Sequence, residues 1–361
     1  MTNPAQLSAE QIDQAEAAGI IDAKQARALR QLLASQEPMG RDTTVKSIEP
    51  TIGNEDDLRF LRSFGDVFIG IGLILLALGA GAITRFVGGG GPAFLVTAAC
   101  AYGLAEYFGR HKRAHFPTLI TALAFLFFVH AGLATFSALG GIGAALITVL
   151  AMALFYARIR LPFCIALIAI ALLYLFFAIL AQIAPDLLRT QFGWVLTLSG
   201  LVIFVAAVLY DIQDQHRRTR FADNAFWLHL LAAPLIIHGL VGHAVMAKSQ
   251  MLFEIIPVMS FESTDAIIIL AATAIITLIG LAINRRALIV SSLGYAGIAI
   301  GFLVKQTNLN IGTTISLSLI LLGTAVVLLG VAWHPVRNQL IRILPKWRIF
   351  PPPYEAPETA A

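Results

Sequence analysis

Apolar residues run without interruption in ten stretches, at 67–87, 92–109, 116–136, 138–157, 161–183, 191–210, 224–247, 265–284, 286–304 and 313–333. A run of about twenty apolar residues is the length that an α-helix needs to cross a bilayer. Lipid offers no partner to backbone N–H and C=O groups, so a spanning segment is a helix or belongs to a closed barrel. Barrel strands alternate polar and apolar residues, and these runs do not alternate. The pattern therefore predicts an all-α, polytopic transmembrane bundle of about ten spans over 64–333. Most connections are short, which makes neighbouring helices antiparallel hairpins. The one long connection is 248–264. Met251, Leu252, Phe253, Ile255, Ile256, Val258, Met259 and Phe261 make it too apolar for a free loop, so it is expected to lie in the interface or to re-enter the membrane.

Both ends read differently. Residues 1–35 predict a small cytoplasmic helical hairpin with helices at about 9–18 and 23–35. Ser8 with Gln11 and Asp22 with Gln25 have the spacing of capping boxes, and Gly19 stands where the first helix should stop. The apolar positions are few, so this hairpin is expected to dock on something else, a cytoplasmic protein partner of 9–35 among the candidates. Residues 36–63 predict a linker punctuated by Pro38, Gly40, Pro50 and Gly53, followed by an interfacial helix capped by Asn54. Residues 334–361 predict an amphipathic interfacial helix and a disordered tail. Val336, Leu340, Ile343, Leu344 and Trp347 share one face there. Arg337, Arg342, Lys346 and Arg348 are placed to meet anionic lipid headgroups.

Composition agrees with this picture. Hydrophobic residues make up 58% of the 361 and charged ones 13%, too few charges to cover a soluble surface. Of the 25 Lys and Arg residues, only Arg85, Arg189, Lys248 and Lys305 fall on one side of the predicted spans; the other 21 fall on the opposite side. The positive-inside rule then puts both termini in the cytoplasm. An odd number of spans would scramble that partition. The pI of about 9.2 follows from these loops and gives no reason to expect nucleic acid. No cleavable signal precedes the first span. Cys100 and Cys164 lie inside spans and read as small apolar fillers.

Ionisable groups within a membrane are the default candidates for function. His130, Tyr174 and His238 stand ~21, ~20 and ~22 Å above the cytoplasmic edge of their spans at ~1.5 Å per residue. They are candidates for one polar layer that binds a headgroup or relays a proton. If that layer works, alanine at both His130 and His238 abolishes binding or transport while the protein still folds. Glu106, His243 and Lys305 are secondary candidates. The alternative for each histidine is a hydrogen bond to a neighbouring helix, and for His229, beside Trp227, an interfacial anchor. Glu106 has the alternative of pairing with a nearby base. Asp211 and Asp214, beside Arg217, Arg218 and Arg220, read as a solvated charged loop.

No metal site is expected: His229 and His243 share a face of one span but stand ~21 Å apart, and there is no HExxH or Cys/His cluster. Gly88–Gly91 lacks the lysine and hydroxyl of a phosphate loop. No nucleophile motif appears, so no cofactor is expected and enzymatic chemistry ranks last among the functions. Three sets of small residues mark close packing: Gly65, Gly72 and Gly79; Ser316, Gly323 and Gly330; Gly294, Gly297 and Gly301. Ten spans divide into two inverted halves of five by count alone, and no convincing internal repeat is evident.

The stretch Ala15-Glu16-Ala17-Ala18-Gly19-Ile20-Ile21-Asp22-Ala23-Lys24-Gln25-Ala26-Arg27-Ala28-Leu29 resembles the opening of a prokaryotic membrane-protein group known as domain of unknown function 2157. That group joins a short helical hairpin to consecutive spans. The resemblance covers roughly the first 150 residues, with Ile20 where leucine is usual. It implies a bacterial inner-membrane setting and no mechanism. Three classes of function remain open, in this order: small-molecule or ion binding and transport, a non-catalytic scaffold or sensor that works through the hairpin, and, last, a membrane enzyme acting on lipid.

Overall fold

The computed structural model describes residues 12, 16, 18, 22, 24–27, 29, 64–86, 88, 90–214, 217, 219–245, 250–252, 256–258, 263–345, 347 and 349–351. The side chains of 242–245, 250–252, 256–258 and 291 lie outside that description. The chain divides into two compact units, Met1–Ile52 and Gly53–Ala361.

In the first unit, residues 12, 16, 24–27 and 29 are helical. The Asp22 N–H donates to Gln25 Oε1 at 2.9 Å and Asp22 Oδ1 accepts from the Gln25 N–H at 2.8 Å. This reciprocal exchange is the capping box that the spacing predicts. Ile12 and Ala26 are buried. The Ser8 box and Gly19 lie outside the described residues, as does all of 36–63 with its expected linker and interfacial helix.

The second unit is a bundle of long helices. They are α1 Phe64–Phe86, α2 Gly90–Glu106, α3 His115–Ala134, α4 Gly140–Ile159, α5 Phe163–Ile183, α6 Pro185–Gln213, α7 Arg220–Val245, α8 Ser263–Ala282, α9 Ala287–Lys305 and α10 Ile311–Val331. Among the described residues, nine of these are long and apolar enough to cross a membrane. The remaining one, α2, has 17 helical residues and runs on as a π-helical turn, Tyr107–His111. Each helix falls within a few residues of an apolar run of the sequence, apart from the longer reach of α6 at both ends. The chain is a polytopic helical membrane protein. Between α7 and α8, β1 Gln250–Leu252 and β2 Ile256–Val258 form an antiparallel ribbon, with Met251 opposite Pro257. Part of the apolar 248–264 connection is thus a hairpin that satisfies its own backbone.

Adjacent helices pack as antiparallel pairs, α2 with α3, α4 with α5, α6 with α7 and α8 with α9. The first core cluster lies between α2, α3, α4 and α5, around Leu126, Met152, Phe155 and Leu167. A second lies between α7, α8 and α9, around Ile237, Ile269, Ile276 and Leu288. Leu173 of α5 packs with Ile203, Ala207, Leu228 and Ala232 of α6 and α7 to join the two. Helices α1 and α10 are the most exposed spans.

The glycines that let helices touch are not the ones that the sevenfold spacing marks. A Cβ on Gly239 of α7 would lie 2.6 Å from the Gly193 carbonyl oxygen and 2.6 Å from the Thr197 nitrogen of α6. Gly72, Gly79, Gly294, Gly323 and Gly330 face nothing within 4 Å, while Gly297 and Gly301 meet Leu322 and Ser318 of α10.

The final helix, α11 Trp333–Ile343, starts two residues before Pro335 and buries Trp333 and Arg337. Val336 and Ile343 are exposed, whereas Leu340 packs with Trp333 and Leu281. Arg337 is therefore not a headgroup contact. Its Nη2 donates to the Pro351 carbonyl at 2.7 Å and ties the returning chain to the helix. Burial pushes its guanidinium down to about 10, still charged at neutral pH.

Candidate functional site

The three residues expected to share a polar layer separate into two pairs. His130 of α3 stacks on Tyr174 of α5, with ring centroids 4.3 Å apart at 27°. Its Nδ1 lies 3.2 Å from Thr148 Oγ1 of α4. Thr148 spends its own hydroxyl proton on the Ala144 carbonyl, at 2.8 Å, so the geometry assigns the proton of this contact to His130 Nδ1. His238 of α7 instead meets Tyr295 of α9, Nδ1 to hydroxyl at 3.0 Å, and is exposed. His130 and Tyr174 come together as expected; His238 does not join them.

The secondary candidates are also resolved in part. Glu106 pairs with Arg110 at 2.8 Å and with Arg158 of α4 at 2.7 Å, the structural alternative to a proton site. Lys305 ends α9 and is exposed. Residue 243 is helical, and its side chain lies outside the described atoms.

The densest ionic arrangement was not among the expected sites. Asp211 sits in the last turn of α6, His229 in α7, and Arg285 in the turn between α8 and α9. His229 is fully buried, the Arg285 side chain is 2% exposed and that of Asp211 14%. His229 Nε2 donates to Asp211 Oδ2 at 2.8 Å. Arg285 Nε reaches Asp211 Oδ1 at 3.0 Å and Oδ2 at 3.2 Å, and its Nη2 also donates to Oδ1 and to the Ala222 carbonyl, the latter at 3.1 Å. A forked guanidinium on a planar carboxylate is the geometry that arginine favours. The reading of Asp211 as part of a solvated loop, and of His229 as an interfacial anchor, is corrected here: both face inward and neutralise or orient each other.

Local chain geometry places Arg285. Asn284 adopts φ +57°, the Arg285 N–H donates to the Gly280 carbonyl at 2.7 Å, and the Asn284 N–H donates to Leu281 at 3.2 Å. This is a Schellman ending with asparagine in the left-handed position. A Cβ on Gly280 would lie 3.0 Å from the Arg285 oxygen, so the turn closes tightly over that glycine. Neighbouring groups lock the turn from both sides. Arg217 Nη2 donates to the carbonyls of Ile283 and Asn284 at 3.1 and 2.6 Å. Trp333 Nε1 donates to Asn284 Oδ1 at 3.0 Å, with Arg286 5.2 Å above its ring. Asp214 Oδ2 accepts from the backbone and hydroxyl of Thr219 at 2.7 and 2.6 Å, which shapes the α6–α7 turn.

An apolar groove of about 370 Å³ opens between α6, α7 and α8, lined by Leu201, Phe204, Ala233, Ile236, Ile268 and Ile275 among others. Phe204 also packs edge-on against the His229 ring, centroids 5.2 Å apart. That phenyl group is thus shared between the groove and the ionic cluster. A second apolar groove of about 220 Å³ lies between α1, α2 and α3. Neither groove is lined by His130, Tyr174 or His238. Among the described residues no group of three or more His, Cys, Asp or Glu side chains is disposed to hold a metal ion.

No protein-family model, no curated protein and no solved structure matches the chain.

Proposed function

We propose that this is a bacterial inner-membrane protein, with both termini in the cytoplasm, that binds or moves a small amphiphilic molecule drawn from the bilayer. The observation that carries the reading is Phe204, whose ring lines the groove between α6, α7 and α8 and also packs on His229. An acyl or isoprenoid chain suits the groove, whose lining is apolar throughout. The charge partition of the loops puts the Asp211–His229–Arg285 cluster at the cytoplasmic end, where the polar head of such a molecule would lie. The Ala15–Leu29 resemblance supports the inner-membrane setting.

A photoactivatable fatty-acid probe added to the purified protein tests this. Crosslinks are expected in α6, α7 and α8, to be competed by unlabelled fatty acid, and to disappear in Ala233→Phe, which fills the groove. Uniform labelling of all exposed spans, without competition, would refute it.

A second reading is a scaffold or sensor that works through the N-terminal hairpin. The reciprocal Asp22–Gln25 cap supports it, because that cap is a device for holding a short helix ready without much core. Deletion of 1–50 then abolishes function and leaves insertion and lipid crosslinking intact. A fully functional deletion strain counts against it.

A further inference from the structure

We propose that His130 and Tyr174, with Thr148 behind them, form a site within the bundle for an uncharged hydroxyl group. Three helices supply one polar side chain each: His130 from α3, Thr148 from α4 and Tyr174 from α5. The site lies apart from the groove between α6, α7 and α8 and stands or falls independently of what that groove holds.

Thr148 fixes the state of the histidine. It is fully buried, and its hydroxyl proton is committed to the Ala144 carbonyl at 2.8 Å, so toward His130 it accepts. The 3.2 Å contact therefore keeps the imidazole proton on Nδ1 and leaves Nε2 as a bare lone pair. Tyr174 lies face to face with the imidazole, centroids 4.3 Å apart at 27°, and no hydrogen bond joins the two rings. Among the described residues neither His130 Nε2 nor the Tyr174 hydroxyl has a hydrogen-bond partner. Both side chains are partly buried, and neither of these two atoms is enclosed. One open acceptor and one open donor thus sit on a pair of stacked rings.

The residue types do not force this arrangement. His238 Nδ1 and the Tyr295 hydroxyl lie 3.0 Å apart and satisfy each other, with the rings crossed at 68°. A histidine and a tyrosine facing across a helix contact can therefore settle their polar atoms between themselves. His130 and Tyr174 stack instead, which leaves a hydrogen-bonding atom of each ring unspent. Lipid tails cannot satisfy such atoms, and a polar group left unpaired away from water costs free energy. A guest that pairs with both removes that cost.

The surroundings decide what kind of guest fits. Helices α3, α4 and α5 carry a single Asp, Glu, Lys or Arg side chain, Arg158, which pairs with Glu106 at the last turn of α4. A charged group beside Tyr174 would find no counter-charge on these helices, and burying it would be costly. Between the pair and the turns that follow α2 and α4, Leu126, Met152, Phe155, Leu167 and Ala171 close into a buried apolar cluster. That floor interrupts any chain of polar groups in this direction, which favours binding over proton relay. An alcohol meets both conditions. It is neutral, and its one oxygen can donate to Nε2 and accept from the Tyr174 hydroxyl. The hydroxyl arrives either on a membrane-borne alcohol or on a water-soluble one.

Nitrogen NMR of isotope-labelled histidine in the full-length protein reads the site directly. The protein is held in phosphatidylcholine nanodiscs, and the His130 signals are assigned with His130→Asn. Three probes are added in turn. Farnesol is a membrane-borne alcohol; farnesyl methyl ether keeps the chain and the oxygen without the hydroxyl proton; glycerol is a water-soluble alcohol. The resting protein should carry its proton on Nδ1. Farnesol should move the Nε2 signal saturably, and the ether should leave it in place. A saturable response to glycerol alone would support the same site with an aqueous supply. Tyr174→Phe keeps the stacked ring and should raise the midpoint concentration about tenfold. Thr148→Val should release the Nδ1 proton and move both ring-nitrogen signals before any probe is added. A resting proton on Nε2, no saturable shift with either alcohol, an equal shift with the ether, or an unchanged midpoint in Tyr174→Phe would overturn the inference.

Discussion

Removing the Arg285 guanidinium leaves the Asp211 carboxylate in a nearly enclosed site with only His229 beside it. Breaking a buried ion pair in this way costs about 3–5 kcal/mol. Arg285→Ala should therefore lower the thermal midpoint of the detergent-solubilised protein markedly. Asp211→Asn with Arg285→Met, which removes both charges, should recover much of the loss. A similar midpoint for the single and double variants would show that the pair does not bear on stability. Arg337 makes a separate forecast. Its bond to the Pro351 carbonyl is charge-assisted, a class worth about 1.5–3 kcal/mol. In Arg337→Met the segment 344–351 should become open to limited proteolysis while the bundle stays folded; unchanged cleavage would contradict this. Neither residue was legible as buried. Asp211 and Arg285 lie 74 positions apart, each among other charges, and nothing local to either distinguishes an inward-facing ion pair from a hydrated loop. The capping exchange of Asp22 and Gln25 was legible because its whole geometry fits within one helical turn.

Among the elements, the helices were foreseen to within a few residues, α6 apart, because the apolar runs and the helices answer to the same requirement of satisfying backbone groups in lipid. Contacts between helices were not foreseen in the same way. Spacing marks small residues as packing sites without saying which face a neighbour covers. Gly323 and Gly330 repeat every seven residues and meet open space, whereas Gly239 belongs to no such repeat and admits the α6 backbone. Gly239→Leu should cost at least the 1–3 kcal/mol typical of overpacking, read as a lower midpoint or loss of folded material. Gly323→Leu should change stability by less than about 0.5 kcal/mol, as an exposed substitution does. The reverse order would show that the α6–α7 crossing is wrongly placed.

For the molecule as a whole, if all ten helices cross the membrane both termini lie on one side, and the loop charges argue that this side is the cytoplasm. Reporter fusions at each end should report the same compartment; opposite compartments would remove one span from the bundle, and α2 would be the first suspect. The even count rests on the unequal division of arginine and lysine between alternate loops; among the described residues nine helices are long and apolar enough to span, and α2 is not one of them.

The shortness of α2 bears on the lipid around it. Seventeen helical residues rise ~25 Å, less than the ~30 Å hydrocarbon thickness of an ordinary bilayer. Its π-helical continuation delivers Arg110 and His111 directly below, next to Glu106. A membrane meeting that flank must pinch inward or the headgroups must sag toward the charges. The protein is therefore expected to gather short-chain lipids along one side and to melt at a higher temperature in thin bilayers than in thick ones.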